Sequence, residues 1–191
     1  IGTETFITLG ELRSINIYVL GSAYKPGTYT ISALTTLTNA IFNTGGVNLN
    51  GSLRNIQVKR NGNTIQTFDL YDLLIKGDTS KDIRLQQGDT IFVPLLKNYA
   101  SLRGTILRPG LYEFREGETL EELISFGGEL NKNSRVELSR INQITGKRDL
   151  KIISSDDLGS LEKEIEHNDS VNIVEMESLK SKNILLTGEF N

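Results

Sequence analysis

The sequence predicts an α+β protein built from two tandem copies of one small unit, each a mixed sheet with one short helix packed on it. Three observations carry that expectation. A set of landmarks recurs in the same order, apolar residues switch between period two and helical spacing, and turn signals separate those stretches.

Residues 19–29 read VLGSAYKPGTY and residues 102–112 read LRGTILRPGLY. Gly21, Pro26, Gly27 and Tyr29 return 83 places later as Gly104, Pro109, Gly110 and Tyr112, and Thr36-Leu37 returns as Thr119-Leu120. After one deletion Gly45-Gly46 is matched by Gly127-Gly128, 82 places on, and further deletions bring Arg60 to Arg140 and Asp89 to Asp169, each 80 places on. A third copy is expected to begin where Ile184-Leu185-Leu186 leads to Gly188, as Val19-Leu20 leads to Gly21.

Within each copy the elements follow from local pattern. Ile15, Ile17 and Val19 fall on one face at period two, which predicts a half-buried strand. Lys25-Pro26-Gly27 then predicts a tight turn, with proline presetting φ and Gly27 supplying a positive φ, before a strand returns through Tyr29 and Ile31. Leu37, Ala40 and Ile41, like Leu120, Leu123 and Ile124, are spaced for one face of a short helix capped by a threonine and ended by Gly45-Gly46 or Gly127-Gly128. Ile56 and Val58 resume the strand pattern, and Asn61-Gly62 predicts a type I′ hairpin, for which Thr145-Gly146 is the weaker equivalent. An irregular segment leads to Gln87-Gly88-Asp89 and a last apolar strand from Thr90 to Val93, closed by Pro94. A mixed sheet with one helix across it is the β-grasp arrangement.

Composition limits the function classes. The 191 residues suit two compact units. A net charge of −3 gives no reason to expect nucleic acid as a partner. The absence of Cys removes thiol nucleophiles, disulfides and cysteine-based zinc sites, and no window reaches the run of about 18 apolar residues that a membrane helix needs. The chain opens on Ile1 and closes on Gly-Glu-Phe-Asn, which reads as a piece of something longer.

The ordered set Val19, Gly21, Pro26, Gly27, Tyr29, Thr36-Leu37, Gly45-Gly46, Arg60, Asp69-Leu70, Leu85, Gly88-Asp89, Ile91 and Val93-Pro94 resembles the soluble-ligand-binding β-grasp (SLBB) domain of bacterial polysaccharide export proteins. The second copy departs from it: Gly88 becomes Asn168, which tolerates positive φ, Pro94 becomes Val174, which removes a strand terminator, and residues 154–169 become an acidic stretch with helical potential. The resemblance implies a protein of the periplasm associated with the outer membrane. It also implies a ring homo-oligomer around a channel for capsule or exopolysaccharide, an inner-membrane polysaccharide co-polymerase as partner, and membrane contact only through parts outside this sequence.

Candidate chemistry is sparse. His167 is the single histidine and stands without a nucleophile partner, so no catalytic residue is assigned and the chain is not expected to be an enzyme. No cofactor site is expected. Asp78 and Asp82 lack the ligand spacing of a calcium loop, Glu162, Glu164 and Glu166 read as a polar face, and no metal site is expected. Aromatic faces and planar hydrogen-bonding groups hold sugars, so Tyr24, Tyr29, Arg60, Tyr112 and Arg140 are the candidate saccharide or partner contacts. Arg60 and Arg140 have a competing role as internal partners of Asp89 and Asp169, and Tyr29 and Tyr112 have one as packing residues. Gly21, Pro26, Gly27, Gly45, Gly46, Gly104, Pro109, Gly110, Gly127 and Gly128 are expected to act through the backbone.

The expected division is a lead-in at 1–14, a first domain at 15–97, a second at 98–178, and a third repeat or linker at 179–191. Residues 17–97 carry eight basic against five acidic residues and residues 98–175 ten against fifteen, an asymmetry suited to packing between modules or subunits. The preferred function is scaffolding and contact within a polysaccharide export machine. A free saccharide- or small-ligand-binding module and a spacer repeat of a surface adhesin are the alternatives.

Overall fold

The computed structural model describes residues 13–142 and 144–176, with the side chain of Leu158 undescribed. The proposed third repeat and most of the lead-in lie outside the described residues. The chain divides into two compact units, Ile1–Lys97 and Asn98–Asn191.

In the first unit β1 (Ser14–Gly21), β2 (Gly27–Ser32), α1 (Leu37–Asn43), β3 (Ile56–Arg60), β4 (Asn63–Phe68), α2 (Leu70–Leu74) and β5 (Thr90–Val93) follow in order. The sheet runs β2-β1-β5-β3-β4, with β1 and β5 parallel and the other neighbours antiparallel. The second unit repeats it with β6 (Tyr99–Gly104), β7 (Gly110–Glu113), α3 (Leu120–Gly127), β8 (Ser134–Ile141), β9 (Arg148–Ser154), α4 (Leu158–Leu161) and β10 (Ser170–Glu175), in the order β7-β6-β10-β8-β9. Both are mixed α+β sheets of the β-grasp kind.

Each core lies on one sheet face. Ile15, Ile17 and Val19 of β1, Ile56 and Val58 of β3, and Ile91 and Val93 of β5 bury against Leu37, Ala40 and Ile41 of α1. Leu120, Leu123 and Ile124 take the α1 role in the second unit. Neither helix is long enough to hold itself in water, so burial against the sheet stabilises it. Each wholly buried Leu contributes on the order of 2–3 kcal/mol. Thr36 caps α1 by accepting from Asn39 N, and Thr119 forms a full capping box with Glu122.

The positive φ of the Pro-Gly motif is carried by a different glycine from the one expected. Gly27 and Gly110 open β2 and β7 in ordinary strand conformation, and a Cβ there meets only the ring of Tyr29 or Tyr112, at 3.8 and 3.7 Å. Gly21 and Gly104 take the left-handed backbone, with φ of 77° and 86°, and a Cβ there would collide with the carbonyl oxygen of Val93 or Ile173. At these points the first strand of each unit makes its last pairing with its parallel neighbour, and Ser22 N and Thr105 N donate to those same carbonyls at 2.7 and 2.8 Å.

The paired glycines also shift. Gly45 corresponds to Gly128, each just beyond its helix with positive φ and each covered by an exposed loop side chain, Tyr24 in one unit and Leu107 in the other. The first deletion therefore falls after the helix. Gly127 is helical and takes the place of Thr44. A Cβ on it would fall on Leu102, which stands where the first unit has the smaller Val19.

Asn61 and Gly62 adopt φ of 50° and 80°, as the I′ hairpin requires, whereas the second hairpin is a wider loop pinned by Asn142, whose side-chain oxygen accepts from Ile144 N and Thr145 N at 3.0 Å. Asn168 reproduces the positive φ of Gly88, and without the proline β10 continues to Glu175. The segments before the last strand each add a short helix, α2 and the single turn of α4. The acidic stretch is otherwise irregular, with Glu164 bridging to Thr119.

Candidate functional site

The recurrent arginines face recurrent aspartates. Arg60 donates from Nε to Asp89 Oδ1 and from Nη2 to Oδ2, both at 2.8 Å, and Asp89 is fully buried while its Oδ2 also accepts from Gln86 N. Arg140 grips Asp169 in the same two-pronged way at 2.8 and 2.7 Å, and Glu166 N fills the place of Gln86 N. Because Gln86 is replaced by Glu166, Arg140 gains a second carboxylate, and its Nη2 also reaches Glu164 O at 3.0 Å. Glu166 is thus an ion-pair partner as well as part of a polar face. The hydrogen bond to the aspartate, first among the causes, raises both guanidinium pKa values above their ordinary value.

These pairs tie the end of β3 or β8 to the turn before the last strand, whose carbonyl in turn receives the amide of Tyr18 or Ser101. Both arginines are therefore committed within their own units. The tyrosines close the turns in a similar way. Tyr29 OH donates to Lys25 O at 2.7 Å and Tyr112 OH to Arg108 O at 2.6 Å, clamping the chain around Pro26 and Pro109. Tyr112 also lies 6.2 Å from the ring of Phe126 on α3, and burial raises the pKa of its phenol.

Tyr24 remains an open aromatic at 59% exposed, and lies over Gly45. The structure does not gather the five candidates into one pocket within either unit. Exposed His167 packs edge-on against Tyr99, with ring centroids 4.6 Å apart. Asp82 accepts from Thr38 N, and Asp78 from Ser80 N. Among the described residues no three His, Asp or Glu side chains cluster as metal ligands do.

Two features were missed from the sequence. Arg54 and Asp69 form a buried ion pair at 3.0 Å, with the guanidinium 5.0 Å from the Tyr71 ring centroid, while Asp69 caps α2. Arg54 has no arginine counterpart in the second copy, so the repeat gave no signal for it. The second feature is the outer face of the first sheet, where Tyr18 and Leu20 are each 43% exposed beside Phe92. Its signal was present, since INIYVL places large apolar residues on both faces of one strand.

Comparison with known proteins agrees with this architecture. One description of the SLBB domain matches residues 16–93, and another matches residues 100–150. The chain thus carries two SLBB domains in tandem. Two curated relatives, each described as the polysialic acid transport protein KpsD of Escherichia coli, are 30% identical to it over 114 residues. That alignment covers 59% of this chain and 20% of the relative, so the chain spans about a fifth of the length of the proteins it matches. Those relatives are transport proteins by description, not members of an enzyme family.

Proposed function

We propose that this chain is a non-catalytic periplasmic segment of a polysaccharide export protein, acting as scaffold and contact surface while capsule or exopolysaccharide leaves the cell. The observation that carries the reading is the paired internal use of Arg60 and Arg140. Both bind buried aspartates, so the recurrent polar residues maintain two rigid modules. The similarity to a polysialic acid transport protein supports the substrate class, a polysaccharide. The full-length protein assembles as a ring at the outer membrane and meets an inner-membrane co-polymerase.

Fractionation of cells producing the full-length protein, combined with crosslinking through cysteines introduced at exposed positions of these two units, tests the assembly. The reading expects outer-membrane fractions and ladders of crosslinked copies. A cytoplasmic monomer that crosslinks to nothing would contradict it.

A further inference from the structure

The core-forming strands of the first sheet carry an unusual set of side chains on their other face. Tyr18 and Leu20 alternate with buried Ile17 and Val19, Phe92 with Ile91 and Val93, and Gln57 and Lys59 with Ile56 and Val58. The strand registers set Leu20, Phe92 and Gln57 side by side in one row, and Tyr18, Thr90 and Lys59 in the next. Lys59 Nζ stands 4.8 Å from the Phe92 ring centroid and has no carboxylate partner among the described residues. No acidic residue occupies an outward position on these three strands.

The second unit supplies an internal control. The equivalent positions hold Ser101 for Tyr18, Arg103 for Leu20, Glu137 for Gln57, Ser139 for Lys59 and Asn172 for Phe92. Asn172 donates to Glu137 at 2.9 Å and Arg135 neutralises the same carboxylate at 2.8 Å, so that the carboxylate is satisfied within the face. Its aromatic rings are gone, and its cation Arg103 shares the face with a carboxylate, although the strand order is the same.

We propose that the outer face of the first sheet binds an acidic glycan, with Tyr18 and Phe92 stacking on sugar rings and Lys59 neutralising a carboxylate. Gln57 and Thr90 hydrogen-bond to sugar hydroxyls. The rings of the face are interleaved with hydrogen-bonding groups, as a polyhydroxylated ligand requires. The core of a protein interface is instead apolar and depleted of charge. The unpaired ammonium, on a face without carboxylates, selects an anion over a neutral sugar. This inference rests on the export reading for the presence of a glycan.

The test is an amide NMR titration of the 191-residue chain with oligogalacturonate, oligosialate and, as neutral control, maltohexaose. Acidic oligomers should shift Tyr18, Lys59 and Phe92 and leave Ser101, Ser139 and Asn172 in place. Lys59→Gln should weaken acidic binding roughly fivefold, the scale of one exposed charge pair, and leave any maltohexaose binding unchanged. Phe92→Ala should weaken both, with the Ile17 and Ile91 amides reporting an intact core. Acidic oligomers that shift only other residues would overturn the platform and leave saccharide contact by this segment standing. No shift with any oligomer would overturn the platform and reduce the segment to scaffold. Shifts of Tyr18 and Phe92 that track protein concentration without sugar would assign the face to a second copy instead.

Discussion

Arg60 holds both carboxylate oxygens of Asp89, a side chain with no exposed surface, while the arginine itself keeps 28% of its own. Removing the two partners should therefore cost different amounts. Arg60→Met strands a buried carboxylate and should destabilise the first unit by about 3 kcal/mol, the lower end for a broken buried pair. Adding Asp89→Asn should recover part of that loss. Chemical denaturation of the two single variants and the double variant measures the coupling, and strictly additive losses would deny the pair its structural role.

The glycines of the repeated motif should behave oppositely. Gly21→Ala forces a side chain into left-handed backbone and onto Val93 O, and should cost about 2 kcal/mol or more. Gly27→Ala meets only the Tyr29 ring at ordinary contact distance and should stay within about 0.5 kcal/mol of the parent. Thermal melts of the two variants separate these outcomes.

In the second unit Gly127 and Leu102 share a space that Thr44 and Val19 divide differently in the first. Gly127→Ala should destabilise the second unit by on the order of 1–3 kcal/mol through overpacking. Shortening the neighbour in the Gly127→Ala, Leu102→Val double variant should return much of the loss. A double-mutant cycle with no favourable coupling would show that the two sites pack independently.

Acid sensitivity should be traceable to Asp72 on α2. Hydrogen bonds from Lys76 first and Lys81 second hold its carboxyl below the ordinary value. A lowered folded-state pKa stabilises above the unfolded value, near 4, and that stabilisation is lost as pH falls from there through the folded value. Asp72→Asn should thus reduce stability at neutral pH slightly and flatten its decline below about pH 4. An unchanged acid limb of the stability profile would locate the sensitivity elsewhere.

Much of this architecture was legible because it is written in local pattern. Alternation at Ile15, Ile17 and Val19 and helical spacing at Leu120, Leu123 and Ile124 predict buried faces that the fold uses. The Arg60–Asp89 pair could be anticipated because its members recur together. What could not be read depends on contacts distant in sequence. The carbonyl that demands a glycine at 21 belongs to Val93, and nothing near Pro26-Gly27 indicates it. Arg54 is replaced by Ser134 in the second copy, so the repeat offered no cue to its pairing with Asp69. The candidate site moved for a related reason: hydrogen bonds at the turns absorb Tyr29 and Tyr112, while Tyr18 and Phe92 come together only when β1 and β5 pair.

The central claim is that these modules serve polysaccharide export, and it is tested most directly by quantifying surface polysaccharide in cells whose full-length protein lacks residues 15–178. The account predicts that polymer disappears from the surface and accumulates inside the cell while the truncated protein is still produced. Surface polysaccharide at the parental level, with the truncated protein present, would contradict it.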